Sequence, residues 1–290
     1  MDNNVIAFCN NVNPMNRTLL AFFLLVLIVP ASAQLKGDSW EKIRTSGNGT
    51  LTVVYYEQPG LIQQDGAAVK GVCVDLLTEF TKFVKEKHGK DVSVVYAAKE
   101  KDFSNFLKIV QQTPNILGVT NTSITEERKK TFKFTPPYMT TPLVFLTNDK
   151  APALRDLSEL SRAYSGFTAE VISGSTHVTH IENIRKKYYP ELKVTYTSSS
   201  ESVIKNLSAN PRIFSILDFT EYVGVVRKSL PIKRQEVDLG NFEELAFVMS
   251  KQSDWDQIWN EFLTPEYRRS AVFRKIIKEN LGSTFLNLVQ

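Results

Sequence analysis

Short runs rich in β-branched and aromatic residues alternate along this chain with segments whose apolar residues recur at helical spacing, and the alternation happens twice. In the first round, Leu51 to Tyr56 reads as a strand. Val72 to His88 reads as a helix with Leu76, Leu77, Phe80, Phe83 and Val84 on one face. Val92 to Tyr96 predicts a second strand and Phe103 to Gln111 a second helix. After a Thr113-Pro114 break, Ile116 to Thr120 predicts a third strand. Strand, helix, strand in this order builds a largely parallel sheet with right-handed crossovers.

The rhythm restarts after a connecting strand at Leu143 to Thr147. Strands are expected at Gly166 to Val171, Lys193 to Tyr196 and Ile213 to Leu217, with helices at Ser175 to Tyr188 and Ser200 to Leu207. Leu245 to Met249 then reads as a return strand, and helices at Trp255 to Phe262 and Tyr267 to Leu281 close the chain. A chain that builds one α/β lobe, leaves it for a second and comes back has two lobes joined by two crossings. The expected division is residues 48–146 with 243–290 for the first lobe and 147–242 for the second. Ligands of such folds bind in the cleft outside the carboxyl ends of the strands.

Hydrophobic residues at 42% and charged residues at 23% are ordinary globular values. The charge excess of +4 survives removal of the first 33 residues, because Asp2 and Arg17 cancel there. It is too small to indicate a nucleic-acid partner. The basic runs Arg128-Lys129-Lys130 and Arg185-Lys186-Lys187 lack interleaved aromatics and read as solvated helix faces. At the N-terminus, Met15-Asn16-Arg17-Thr18 supplies a basic start, Leu19 to Val29 an apolar core, and Ala31-Ser32-Ala33 a small-residue cleavage site before Gln34. Residues 1–33 are therefore expected to be a signal peptide whose true start is Met15. The apolar core is well short of the ~20 residues that span a bilayer. With Cys9 removed, Cys73 stands alone between apolar neighbours and reads as a small buried hydrophobe.

Catalytic and metal motifs are weak. His177 and His180 stand at i, i+3, but no Cys cluster or His-Glu-x-x-His pattern joins them, and neither a Gly-x-Ser-x-Gly elbow nor a phosphate-binding loop occurs. No metal or cofactor is expected.

Thr120 to Tyr138 places hydroxyls, the Asn121 amide and Arg128 where a strand turns into a helix. Thr125 is one candidate N-cap, and Ser123 with Glu126 is a competing capping box. Free first-turn amides and a guanidinium together favour an anion such as a carboxylate. The alternative is that Arg128 merely pairs with a neighbouring acid on a solvated helix. In the second lobe, Ser173-Gly174-Ser175-Thr176 follows a strand and opens a helix, either as a cap or as a second anion-facing turn. Asp218, at the end of an apolar strand, reads equally as an N-cap or as an acceptor in the cleft.

The Ser123-Ile124-Thr125-Glu126-Glu127-Arg128 and Phe134-Thr135-Pro136-Pro137-Tyr138 segments resemble the signature of the amino-acid-binding branch of bacterial extracytoplasmic solute-binding proteins, family 3. The resemblance spans about Leu51 to Leu281. It implies a two-lobe, type II periplasmic-binding-protein-like α/β fold and an exported, monomeric protein in the periplasm. Such a protein captures an amino acid and hands it to an ABC permease. It implies Arg128, with Asn121 and Ser123, for the ligand carboxylate, Thr176 beside Ser175 as the second-lobe contact, and Asp218 for the α-ammonium. Tyr56 would cover the ligand, with Glu57 as a rival that would favour a cationic side chain. A ligand-sensing role is chemically identical in the cleft. Prephenate and arogenate dehydratases share the fold, and there Glu57 or Asp218 would act as general acid.

Overall fold

The computed structural model describes residues 35–240 and 242–288, so the expected signal peptide lies outside the described residues. In chain order it runs α1 (Trp40–Ser46), β1 (Asn48–Tyr56), β2 (Gln63–Asp65), β3 (Ala68–Lys70), α2 (Val72–His88), β4 (Asp91–Glu100), α3 (Phe103–Gln112), β5 (Ile116–Ser123), α4 (Glu126–Thr131), β6 (Phe132–Phe134) and β7 (Met139–Asn148). It continues with α5 (Leu160–Ala163), β8 (Thr168–Ile172), α6 (His177–Tyr188), β9 (Lys193–Thr197), α7 (Ser200–Ala209), β10 (Ile213–Asp218), α8 (Phe219–Arg227), β11 (Ile232–Arg234), β12 (Phe242–Ser250), α9 (Trp255–Phe262), α10 (Pro265–Arg269) and α11 (Ala271–Leu281).

Two parallel triads make the architecture. In one, β1 lies between β4 and β5; in the other, β8 lies between β9 and β10, all parallel. Antiparallel β7 and β12 join them in the order β4-β1-β5-β12-β7-β10-β8-β9. β7 changes partners along its length: Met139 to Pro142 pair with β12, and Leu143 to Thr147 pair with β10. β12 does the same, leaving β7 at Leu245 to run along β5. These two strands are the crossings between the lobes. The carboxyl ends of β1, β5, β8 and β10 bring Tyr56, Ser123, Ile172 and Asp218 to the wall of one cavity.

Each triad is packed by helices that cover apolar strands. β5 is buried at every position, as a central parallel strand with two covered faces must be. Against the first triad, Phe80 of α2 stacks on Trp259 of α9 with ring centroids 4.0 Å apart. Gly118 on β5 is where α3 comes closest, since a Cβ there would lie 2.6 Å from Val110 Cγ2. In the second triad, Phe145 stacks on Phe214 at 4.7 Å.

The helix expected over Tyr267 to Leu281 is broken. Ser270 adopts extended backbone (φ −66°, ψ 157°) between α10 and α11, and its hydroxyl accepts from the amide of Phe273. Serine can cap a new helix more readily than continue an old one. Strand β5 runs to Ser123, past the expected end at Thr120, because Thr122 and Ser123 find partners on β12. Among the described residues no helix is long and apolar enough to cross a membrane.

Candidate functional site

The cavity between the triads is lined by Tyr56, Gln58, Asn121, Ser123, Arg128, Ser175, Thr176, His177, Asp218 and Glu221, with Phe103 and Ile172 as its apolar wall. Its free volume of about 20 Å³ is room for a water or two, so any larger solute enters only when the lobes part. The lobes are latched by direct hydrogen bonds. The Ser200 amide donates to the Tyr56 hydroxyl at 2.8 Å, the Phe103 amide to Ser198 O at 3.0 Å, and the Ser104 hydroxyl to Ser173 O at 2.9 Å.

Arg128 is positioned by its own helix. Thr125 is the N-cap, its hydroxyl accepting from the Arg128 amide at 3.1 Å. Ser123 does not cap: it stays in β5, and its hydroxyl donates to the Glu243 carboxylate. Lys129 and Lys130 face solvent and pair with Glu126 and Glu127, as expected of a solvated face. Arg128 turns the other way, against that expectation. Its guanidinium donates to Ser123 O at 3.0 Å and across the cleft to Gly174 O at 2.9 Å, 5.6 Å from the Phe103 ring centroid. Among the described residues no acid hydrogen-bonds to it directly. Burial pulls its pKa down, against the opposing fields of Glu243 and Asp218.

Gly174 makes this crossing possible. It sits at φ 77°, in the left-handed region, and a Cβ there would fall 2.8 Å from Ser104 Oγ. The Ser175 hydroxyl is turned back onto Ile172 O at 2.7 Å. Thr176 is the N-cap residue of α6 but makes no side-chain cap bond, which leaves its hydroxyl on the cavity side near Glu243.

Asp218 combines both roles that the sequence left open. It is the N-cap residue of α8, its amide donating to Glu221 Oε2 at 2.7 Å. Its own Oδ2 accepts from Asn121 Nδ2 across the cleft at 2.5 Å. His177 Nε2 lies 3.9 Å from Asp218 Oδ1, within ion-pair reach but beyond a hydrogen bond. Burial opposes the charging of His177, yet the Asp218 and Glu243 carboxylates outweigh it and raise the imidazole to about 9. For Asp218 burial dominates and raises the carboxyl. Glu221 is fully buried; desolvation, then the Asp218 charge, pushes it up to about 8. Glu243 goes the other way. Burial alone would raise it, but His180, at 3.2 Å, the His177 charge and the Ser123 hydroxyl bring it to about 2.

Seven of the eight residues singled out from the sequence line the cavity: Asn121, Ser123, Arg128, Ser175, Thr176, Asp218 and Tyr56. Glu57 does not. Adjacent strand residues face opposite sides, and with Tyr56 inward Glu57 turns out, where it accepts from the Gln64 amide at 2.8 Å and pairs with Lys99 at 3.3 Å. The sequence reading missed Gln58, His177, Glu221 and Glu243. The spacing of Glu221, three residues after Asp218, was a capping-box signal that could have found it. Glu243 is brought in by strand pairing alone.

His177, Asp218 and Glu243 offer three potential metal-ligand atoms within 4.8 Å of one another. Both Glu243 oxygens are already engaged, by Ser123 and His180, and Arg128 places a positive charge beside them. The group is accounted for as an ion-paired cluster.

Known structures share this fold at low sequence identity. An arginine-, lysine- and histidine-binding protein from Geobacillus stearothermophilus matches with a TM-score of 0.64 and 20% identity, over 80% of this chain and 96% of that one. A structure from work on glutathione import through the cystine ABC importer of Streptococcus mutans matches with a TM-score of 0.67 and 17% identity, over 82% and 97%. The glutamate-bound GluR0 ligand-binding core of Nostoc punctiforme matches with a TM-score of 0.62 and 14% identity, over 80% and 99%. No curated protein sequence matches. The ligands of these structures differ, so the likeness establishes the two-lobe type II periplasmic-binding-protein fold and not the solute. The model of the bacterial extracellular solute-binding proteins, family 3, matches residues 51–282, and the chain belongs to that family.

Proposed function

We propose that the protein captures a free α-amino acid by closure of its lobes and delivers it to an ABC permease. The observation that carries this reading is the placement of Arg128 and Asp218 on one small cavity, from opposite lobes. A guanidinium with unused donors suits a carboxylate, and a buried carboxylate with an unengaged oxygen suits an ammonium. In this reading the carboxylate lies on Arg128, with Ser123, Ser175 and Thr176 beside it, and the α-ammonium on Asp218, with Asn121 holding the acid in place. Tyr56 closes over the side chain. A solute that touches both lobes stabilises the closed state in proportion to those contacts.

Residues 48–146 with 243–290 and residues 147–242 serve as the lobes, with β7 and β12 as the hinge. Export by a cleaved leader to the periplasm, and a monomeric state, complete the proposal. The test is a thermal-stability scan of the purified protein against the twenty amino acids, simple carboxylates and prephenate. A ligand at 1,000 times its dissociation constant adds about 4 kcal/mol. A shift with one or a few amino acids, lost in Arg128→Ala, supports the reading. Turnover of prephenate, or shifts only with compounds lacking an α-amino group, overturns it.

A further inference from the structure

Three oxygens at the wall of the cleft cavity have no hydrogen-bond donor: Asp218 Oδ1, Glu221 Oε1 and Gln58 Oε1. Their residues are 1%, 0% and 1% exposed, so bulk water does not satisfy them. A buried acceptor without a donor is destabilising, and native proteins keep very few. Asp218 is accounted for by the ligand's α-ammonium. Glu221 and Gln58 are left over.

These two come from opposite lobes and are each anchored by their other end. Glu221 Oε2 accepts from the Asp218 amide at 2.7 Å. Gln58 Nε2 donates to the Ser200 hydroxyl at 3.4 Å. The second oxygen of each is therefore held in place without a hydrogen-bond partner in the solute-free cleft. Among the described residues lining the cavity, the unpartnered nitrogens are the two ring nitrogens of His177, whose charge the Asp218 and Glu243 carboxylates balance, which leaves the Glu221 and Gln58 oxygens for a donor on the solute. An apolar side chain would seal two oxygens without partners, and an acidic one would set a third carboxyl beside Asp218 and Glu221.

We infer that the solute is a basic amino acid whose side-chain amino or guanidinium group is received by Glu221 and Gln58. The inference rests on the amino-acid reading above and adds a side-chain subsite to it. Glu57, the acid that the sequence offered for this purpose, points outward, and Glu221 takes the role from the other lobe. The charged and titratable groups around Glu221 are Asp218 at the end of β10, His177 on α6 and Tyr56 at the end of β1. Burial keeps the Glu221 carboxyl protonated at neutral pH in the solute-free cleft. An arriving ammonium reverses that balance, so binding of a basic solute releases the Glu221 proton to solvent.

The test is isothermal titration of the solute-free protein with L-ornithine, L-lysine, L-arginine, L-glutamine, L-leucine and L-glutamate. Each titration is run in two buffers of different ionisation enthalpy. The expected result is at least 30-fold tighter binding of a basic amino acid than of leucine or glutamate, with release of up to one proton. Glu221→Gln keeps the cap to the Asp218 amide and is expected to weaken the basic ligand at least tenfold and to remove the proton release. Leucine, glutamate or glutamine as the tightest ligand overturns the inference while leaving the amino-acid reading intact. A preference for basic ligands that persists in Glu221→Gln overturns the assignment of Glu221. Failure of all six to bind overturns both readings. The wild-type comparison stands without the variant.

Discussion

Asn121 Nδ2 donates to Asp218 Oδ2 at 2.5 Å, and this one hydrogen bond ties the end of β5 in the first lobe to the end of β10 in the second. It orients the acid so that Oδ1, its unengaged oxygen, stays on the cavity wall. The same bond therefore ties the two strand ends together and fixes the orientation of the Asp218 carboxylate.

Replacing Asp218 by Asn keeps a carbonyl for Asn121 and removes the charge. Amino acids are expected to weaken at least tenfold more than their deaminated analogues, which lack the ammonium. Calorimetric titration of one amino acid and its desamino acid against both proteins checks this. Equal weakening of the two would make Asp218 a purely structural cap.

Arg128→Ala removes a half-buried guanidinium that bridges Ser123 O and Gly174 O. Loss of about 2–5 kcal/mol of binding is expected, the range for unpairing a buried charge. Arg128→Lys restores only part of it, because an ammonium cannot serve two carbonyls and a carboxylate with a planar fork. Unchanged affinity in Arg128→Ala would exclude it as the carboxylate reader.

The raised pKa of Glu221, about 8 when folded, sets a pH dependence of stability. The native protein holds this proton while the unfolded chain, near the ordinary carboxylate value, gives it up. Stability from this group is thus fully present below the unfolded value and falls as pH rises towards about 8, by at most about 1.4 kcal/mol per pH unit. Urea denaturation between pH 5 and 9 is expected to show Glu221→Gln gaining on the wild type as pH increases. A constant difference across that range would contradict the assignment.

Cys73 is fully buried, and desolvation holds its thiol well above the ordinary value. A maleimide reagent is expected to leave it unmodified in the native protein and to label it once denaturant unfolds the first lobe. Peptide mapping distinguishes it from Cys9 if the leader is retained.

Phe80 and Trp259 stack at 4.0 Å in the core of the first lobe and do not line the cavity. Phe80→Ala is expected to reduce stability by about 3–5 kcal/mol. The melting temperature should then fall by roughly 6–20 °C for a chain of this size. Ligand affinity of the folded fraction should stay within threefold.

The sequence by itself determined the elements and most of their order. α2 and α9 fall where apolar spacing puts them, because an amphipathic helix declares its buried face in a single stretch of chain. The strand-to-helix turns at Thr125 and Asp218 were legible for the same reason: a cap is a local bargain between one side chain and amides two or three residues away. What only the tertiary structure decided is which polar side chains meet. The direction of Glu57 followed from the pleat phase of β1, which a single residue's shift in register would invert. Glu243 entered through the pairing of β12 with β7 and β5, between residues 100 to 130 positions apart in the chain. His177 gained its charge from the Asp218 and Glu243 carboxylates, against its own burial, and Glu221 its proton from burial beside Asp218, once the lobes met. Ionisation states of this kind depend on distance and solvent exclusion, which no local stretch of sequence specifies.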